Sequence, residues 1–145
     1  MGQYVFVNFP QVSLMEWHPF SISSGPHENE IELNIKGLGN YTKKFANYAE
    51  SGKQMTVRVD GPYGNLNMNY RQNSVVVFVV GGIGITPALS FLKDLYLSQK
   101  PKQQVEKAYL IWTIPTKEQY QWFSKDIEEF QAATIKVDLT NFLIC

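Results

Sequence analysis

The densest chemistry in this chain sits in a glycine turn. Gly81-Gly82-Ile83-Gly84 follows the uncharged run 75–80 and leads into Ile85-Thr86-Pro87. Thr is a good N-cap, and Pro has its φ pre-set for a first helical turn. The spacing therefore predicts a helix N-terminus at the end of a strand. There, free N–H groups and the positive end of the helix dipole suit a phosphate. A tight turn that merely packs a helix on a sheet is the plainer alternative, and it stays open. A second cluster is Trp17-His18-Pro19-Phe20-Ser21-Ile22-Ser23-Ser24, with rings, an imidazole and three hydroxyls. Taken alone, it could be an ordinary strand with a capped turn.

Several chemistries are excluded. In 82–87 a proline stands where the third glycine of a dinucleotide fingerprint belongs, and no Gly-Lys-Ser/Thr follows as in a P-loop. His18 and His27 have no ligand spacing, and the only cysteine is Cys145, so neither a metal site nor a disulfide framework is expected. No serine sits in a Gly-x-Ser-x-Gly elbow. Thirteen basic residues balance thirteen acidic ones, which gives no support to a nucleic-acid or anionic-membrane binder. The start has no signal-peptide pattern. Residues 75–92 are uncharged, but their glycines, Thr86 and Pro87 read as a buried strand plus a helix rather than a membrane span.

Positioning these groups requires two kinds of architecture. In the first part, alternation predicts strands over 3–9, 20–24, 31–35 and 55–59, a helix over 40–50, and a turn at Asp60-Gly61-Pro62-Tyr63-Gly64. The glutamates of 30–36 and Glu118, Asp126, Glu128 and Glu129 read as solvated faces. From about residue 70 the pattern becomes strand 75–80, helix 87–98, strand 107–113, helix 117–131, strand 134–139. Strands separated by helices imply a parallel sheet. The polar run 65–74 reads as a linker. The expected fold class is α+β in two parts: 1–70 a partial antiparallel β-barrel with one helix, and 71–145 a partial parallel α/β nucleotide-binding domain.

Together these motifs carry a specific resemblance. Gly2-Gln3-Tyr4-Val5-Phe6-Val7, His18-Pro19-Phe20-Ser21, Ile35-Lys36-Gly37-Leu38-Gly39-Asn40-Tyr41-Thr42, Asp60-Gly61-Pro62-Tyr63-Gly64, 81–87 and Trp122-Phe123 follow one another as in a single family. The chain resembles the cytosolic FAD/NAD(P)H dehydrogenase region of ferric reductases and NADPH oxidases, within the ferredoxin–NADP reductase superfamily. The resemblance makes the first part an FAD-binding barrel and implies hydride transfer from NADPH or NADH to FAD. Phe20 would lie against the flavin ring, and Ser21 would hydrogen-bond near flavin N5, as the catalytic pair. His18, Pro19, Ile35, Lys36, Tyr41 and Thr42 would hold FAD. Gly82, Gly84, Ile85, Thr86 and Pro87 would hold the nicotinamide nucleotide. Electrons would pass to a haem-containing membrane domain of a longer parent, with this region on the cytoplasmic face and no membrane insertion of its own.

The family pattern is longer than this chain. Its first two barrel strands would precede Met1, and its later nucleotide strands would follow Cys145. The chain is thus expected to be truncated at both ends, and to be either a weakly stable monomer or one that buries open strand edges by pairing with other copies. An inactive fragment that binds the cofactors weakly or not at all is the alternative reading.

Overall fold

The computed structural model describes residues 1–64, 68–97, 104–131 and 136–143. Its first part is an antiparallel sheet of order β2-β1-β3, with β1 at Tyr4–Asn8, β2 at His18–Ser21 and β3 at Arg58–Tyr63. β1 is central because its alternating Val5 and Val7 are buried, with Phe9 just beyond it. Helix α1, Asn40–Glu50, covers these residues with Tyr41, which is buried, and Phe45, which is partly so. The Phe9 and Phe45 rings stack at 4.2 Å. Phe20, Ile22, Leu33 and Ile35 complete this small core. Among the described residues the sheet does not close into a barrel.

Residues 60–63 are strand, not turn, because β3 continues to Tyr63 through a shift of register between Tyr4 and Phe6 of β1. Gly61 takes φ +132°, and its proline neighbour is tolerated because β3 is an edge strand. Accordingly the strand begins at Arg58, later than the alternation of 55–59 suggests. The segment 31–35 is not a strand, and only one bridge forms, Ile22 with Leu33. Serines occupy its backbone instead. Ser23 N and Oγ donate to the Glu32 carbonyl, each at 3.0 Å, and the Glu32 N–H donates to Ser24 Oγ at 3.1 Å. Such side-chain bonds compete with ladder formation.

The second part is a parallel sheet of order β4-β5-β6, with β4 at Val75–Gly81, β5 at Lys107–Ile114 and β6 at Lys136–Leu143. Helix α2, Ile85–Leu97, and the short helices α3, Lys117–Gln121, and α4, Ser124–Gln131, accompany it. Ile85, Leu89, Leu92, Leu110, Trp112, Phe123, Ile127 and Phe130 form the larger core. β4 is not buried on both faces as expected of a continuous apolar run. Val76, Phe78 and Val80 pack on the core, whereas Val79 on the other face is 72% exposed. Among the described residues the core holding β4 gathers on one face only.

The single helix expected over 117–131 is broken at Trp122-Phe123. The break turns Phe123 inward, edge-on to Trp112 at 5.7 Å, and leaves Trp122 exposed. Helix α2 begins at Ile85, two residues before the expected start, because a 3-10 turn over Gly82–Gly84 runs straight into it. Thr86 is therefore inside the first turn rather than at its cap. Its hydroxyl donates to the Ile83 carbonyl at 2.7 Å. Pro87 is still within the first four positions, where a missing N–H costs nothing. No helix of the described residues is long and apolar enough to cross a membrane. The end of the expected 87–98 helix, part of the 65–74 linker and Cys145 lie outside the described residues.

Candidate functional site

A cavity of about 650 Å³ opens between the two parts, within the size range of cofactor sites. Three chain segments wall it. β2 contributes His18, Pro19, Phe20 and Ser21; the approach and first turn of α1 contribute Lys36, Leu38, Gly39, Asn40, Tyr41 and Thr42; the glycine turn contributes Ile83, Gly84, Thr86 and Pro87.

β2 reaches the cavity because β1 fixes it. The register pairs Tyr4 with Ser21, Val5 with Phe20 and Val7 with His18. The His18 ring stacks on Tyr41 at 4.1 Å and 29°. Tyr41 is in turn held by its own hydroxyl, which accepts from the Phe9 N–H at 3.0 Å. The imidazole thus stands on a buried platform. Its Nε2 lies 3.4 Å from a Glu16 carboxylate oxygen.

The start of α1 is organised by Thr42. Its hydroxyl accepts from the N–H groups of Leu38, at 3.0 Å, and Gly39, at 3.1 Å, and donates to the Gly39 carbonyl. That hydroxyl is fully used, so Thr42 shapes the loop rather than offering a free donor. The first intrahelical bond runs from Lys43 N–H to the Gly39 carbonyl. The N–H groups of Asn40, Tyr41 and Thr42 precede it and stand at the cavity end of the helix.

The glycine turn is held from behind. The Trp112 indole N–H donates to the Gly82 carbonyl at 2.8 Å, with Gly82 at φ +50°. Ile85 is wholly buried and anchors the first turn of α2. A Cβ built on Gly39, Gly82 or Gly84 would meet nothing within 4 Å, so the space beside these backbones is open to a ligand.

The electrostatics favour an anion. Neither α1 nor α2 has an acidic residue in its first turn, whereas α3 and α4, which do not line the cavity, carry Glu118 and Asp126 there. Glu118 shows the ordinary pattern. A hydrogen bond from the Thr116 side chain, then its backbone N–H, holds its carboxyl below the usual range. Lys36 lines the cavity half-buried and makes no ion pair among the described residues. Glu16 is the opposing charge, on the rim beside His18.

The cavity gathers His18, Pro19, Phe20, Ser21, Lys36, Tyr41, Thr42, Gly84, Thr86 and Pro87. It does not gather Ile35, which packs in the first core, nor Gly82 and Ile85, which form and anchor the turn. Sequence reasoning nominated none of Glu16, Asn34, Leu38, Gly39, Asn40 and Ile83, which also line it. Gly39 had a signal, as a glycine directly before a helix start. Glu16 had none.

Two family models cover the chain. Residues 1–67 match an FAD-binding domain, and residues 73–144 match a ferric reductase NAD binding domain. The chain belongs to the FAD- and NAD(P)-binding dehydrogenase region of the ferric reductase and NADPH oxidase family. Rat NADPH oxidase 1 is 32% identical over 99% of this chain and 26% of its own length. A putative respiratory burst oxidase homolog, protein G of Arabidopsis thaliana, is 30% identical over 88% of this chain and 19% of its own. The chain therefore spans about a quarter or less of these relatives. The two-part fold is that of ferredoxin–NADP+ reductase. The Plasmodium falciparum enzyme with 2′P-AMP superposes with a TM-score of 0.72 at 16% identity, over 98% of this chain and 59% of that one. The chain thus holds an FAD-binding and an NAD-binding domain of this family.

Proposed function

We propose that this chain carries a hydride from NADPH or NADH to FAD and serves a haem-containing membrane domain of a longer oxidoreductase. The observation that carries the reading is the single cavity shared by β2, the first turn of α1 and the glycine turn. Open space beside Gly39 and Gly84, unpaired Lys36 and helix ends without acids fit a dinucleotide with a pyrophosphate. FAD, when bound, supplies acceptance of a hydride and release of single electrons, and the protein supplies placement and electrostatics.

In this reading Phe20 supports the flavin ring, and Ser21 offers a hydroxyl that has no partner among the described residues. His18, held on Tyr41, and Lys36 bind the charged part of FAD, beside the N–H groups of Asn40, Tyr41 and Thr42. Gly84, Thr86 and Pro87 bound the nicotinamide side, with Gly82 and Ile85 fixing the turn. Closing the cavity with both cofactors excludes water from it. The division into 1–70 and 71–145, the cytoplasmic face and pairing of copies through open strand edges belong to the same proposal. A compact, stable monomer in sedimentation would count against the pairing.

A second reading, a piece that binds cofactor weakly, is favoured by the open valine face of β4. Titration with FAD, read by quenching of flavin fluorescence, separates the two. Saturable binding that Lys36→Ala weakens by about tenfold, the loss of one charge-assisted contact, supports the first reading. Absence of saturation supports the second.

A further inference from the structure

Along α2 runs a row of polar side chains of which only the first, Thr86, reaches the cavity. Thr86, Ser90 and Asp94 are four residues apart, so they share one helix face, with Lys93 beside them. Thr86 is at the cavity end of the row. Ser90 Oγ donates to the Ser24 carbonyl at 2.9 Å. Lys93 Nζ lies 2.7 Å from Glu32, 3.2 Å from Asp126 and 3.7 Å from Glu28. The Asp94 side chain is 1% exposed. It accepts from the Tyr70 hydroxyl and the Arg71 guanidinium and lies 3.3 Å from His27 Nε2.

These partners come from three places outside α2, one of them α4, which supplies Asp126. His27, Glu28, Glu32 and Ser24 lie in the loop that continues β2, while Tyr70 and Arg71 lie where the chain crosses between its parts. Backbone and helix approach closely, since a Cβ on Gly25 would sit 3.0 Å from Lys93 Cβ. Ser23, Ser24 and Glu32 stiffen the same loop through their mutual bonds. One continuous path therefore runs from β2, through this loop, to α2, and back along α2 to the glycine turn. Removing one partner of a buried ion pair is costly, because it leaves an uncompensated buried charge.

We propose that Asp94, with Ser90 and Lys93, is a positioning latch that sets the separation between the two walls of the cavity, β2 and residues 82–87. The inference rests on the reading of that cavity as the meeting place of FAD and a nicotinamide nucleotide.

The test compares wild type with Asp94→Asn, which keeps the shape and removes the charge. Amide hydrogen exchange, measured without cofactor, is expected to quicken by about 10²-fold in 23–32 and 82–87, as losing one partner of a buried ion pair implies. β1 and β5 are expected to keep wild-type protection. With FAD bound, anaerobic reduction by NADPH is expected to slow by about 10²-fold, while FAD affinity changes less than about threefold. Unchanged exchange in the two segments, equal acceleration in β1 and β5, or unchanged reduction would overturn the latch. Should Asp94→Asn not fold, Ser90→Ala leaves every charge in place and is expected to quicken exchange in the same segments by about tenfold. No rise there overturns the proposal equally. Wild-type protein that binds FAD but does not oxidise NADPH sinks the functional reading instead, and the exchange comparison still decides the latch.

Discussion

At the residue scale, the tightest constraints fall on His18, Tyr41 and Phe9, one held by the next. The Phe9 N–H, the Tyr41 hydroxyl and the stacked imidazole make a chain from the β1 core to the cavity. Tyr41→Phe should therefore leave a buried N–H unsatisfied, lowering stability by about 1–3 kcal/mol and weakening FAD binding through His18. Urea unfolding and flavin titration on the same variant check both. Ser21→Ala should leave stability unchanged and slow flavin reduction by at least about tenfold if its hydroxyl serves the reacting atom. A second residue-scale expectation concerns alkali. Burial, followed by the hydrogen bond to Asp94, pushes the Tyr70 hydroxyl up from 10.0 to about 12. The folded protein keeps this proton where the unfolded chain has released it. Stability is thus whole below pH 10.0 and falls as pH rises toward about 12. For Lys93, burial alone would lower the ammonium, but the hydrogen bond to Glu32 and the Asp126 carboxylate outweigh it, so it too ends up raised above 10.5. Its contribution is likewise lost as pH rises above 10.5. Urea midpoints across that range should fall in wild type and fall less steeply in Tyr70→Phe.

At the element scale, the glycines of the site separate into two kinds. Gly84 has ordinary backbone and open space beside it, so Gly84→Ala should cost less than about 1 kcal/mol in folding yet weaken nucleotide binding, because the added methyl enters the cavity. Gly82 sits at φ +50°, so Gly82→Ala should cost about 1–2 kcal/mol by thermal or urea unfolding. Sequence reading found the helix over 40–50, set between Gly39 and Gly52, the strand 75–80, which ends at Gly81, and the strand 107–113, because their apolar patterns are local. It misplaced elements wherever side chains took backbone partners. Ser23 and Ser24 occupy Glu32 and abolish the strand expected over 31–35. Thr86 back-bonds to Ile83 inside a helix that it was expected to cap. Trp112 draws Phe123 inward and splits the helix expected over 117–131. Asp126 and Glu32, expected on wet faces, both ion-pair with Lys93 across the fold.

At the scale of the whole molecule, two parts of different construction meet along one cavity. The motifs of β2, α1 and the glycine turn were legible separately in the sequence. That they line one space was not, because it is set by contacts between segments far apart in the chain. Glu16 and Asn34 join the wall with no local signal. In the proposed function the assembled cavity brings FAD and a nicotinamide nucleotide together for hydride transfer. The visible absorption spectrum of the protein loaded with FAD and freed of excess, before and after anaerobic addition of NADPH or NADH, reads this event itself. The expected result is retained flavin absorbance that bleaches at a rate saturating with nucleotide. Flavin that is retained and does not bleach with either nucleotide would contradict it.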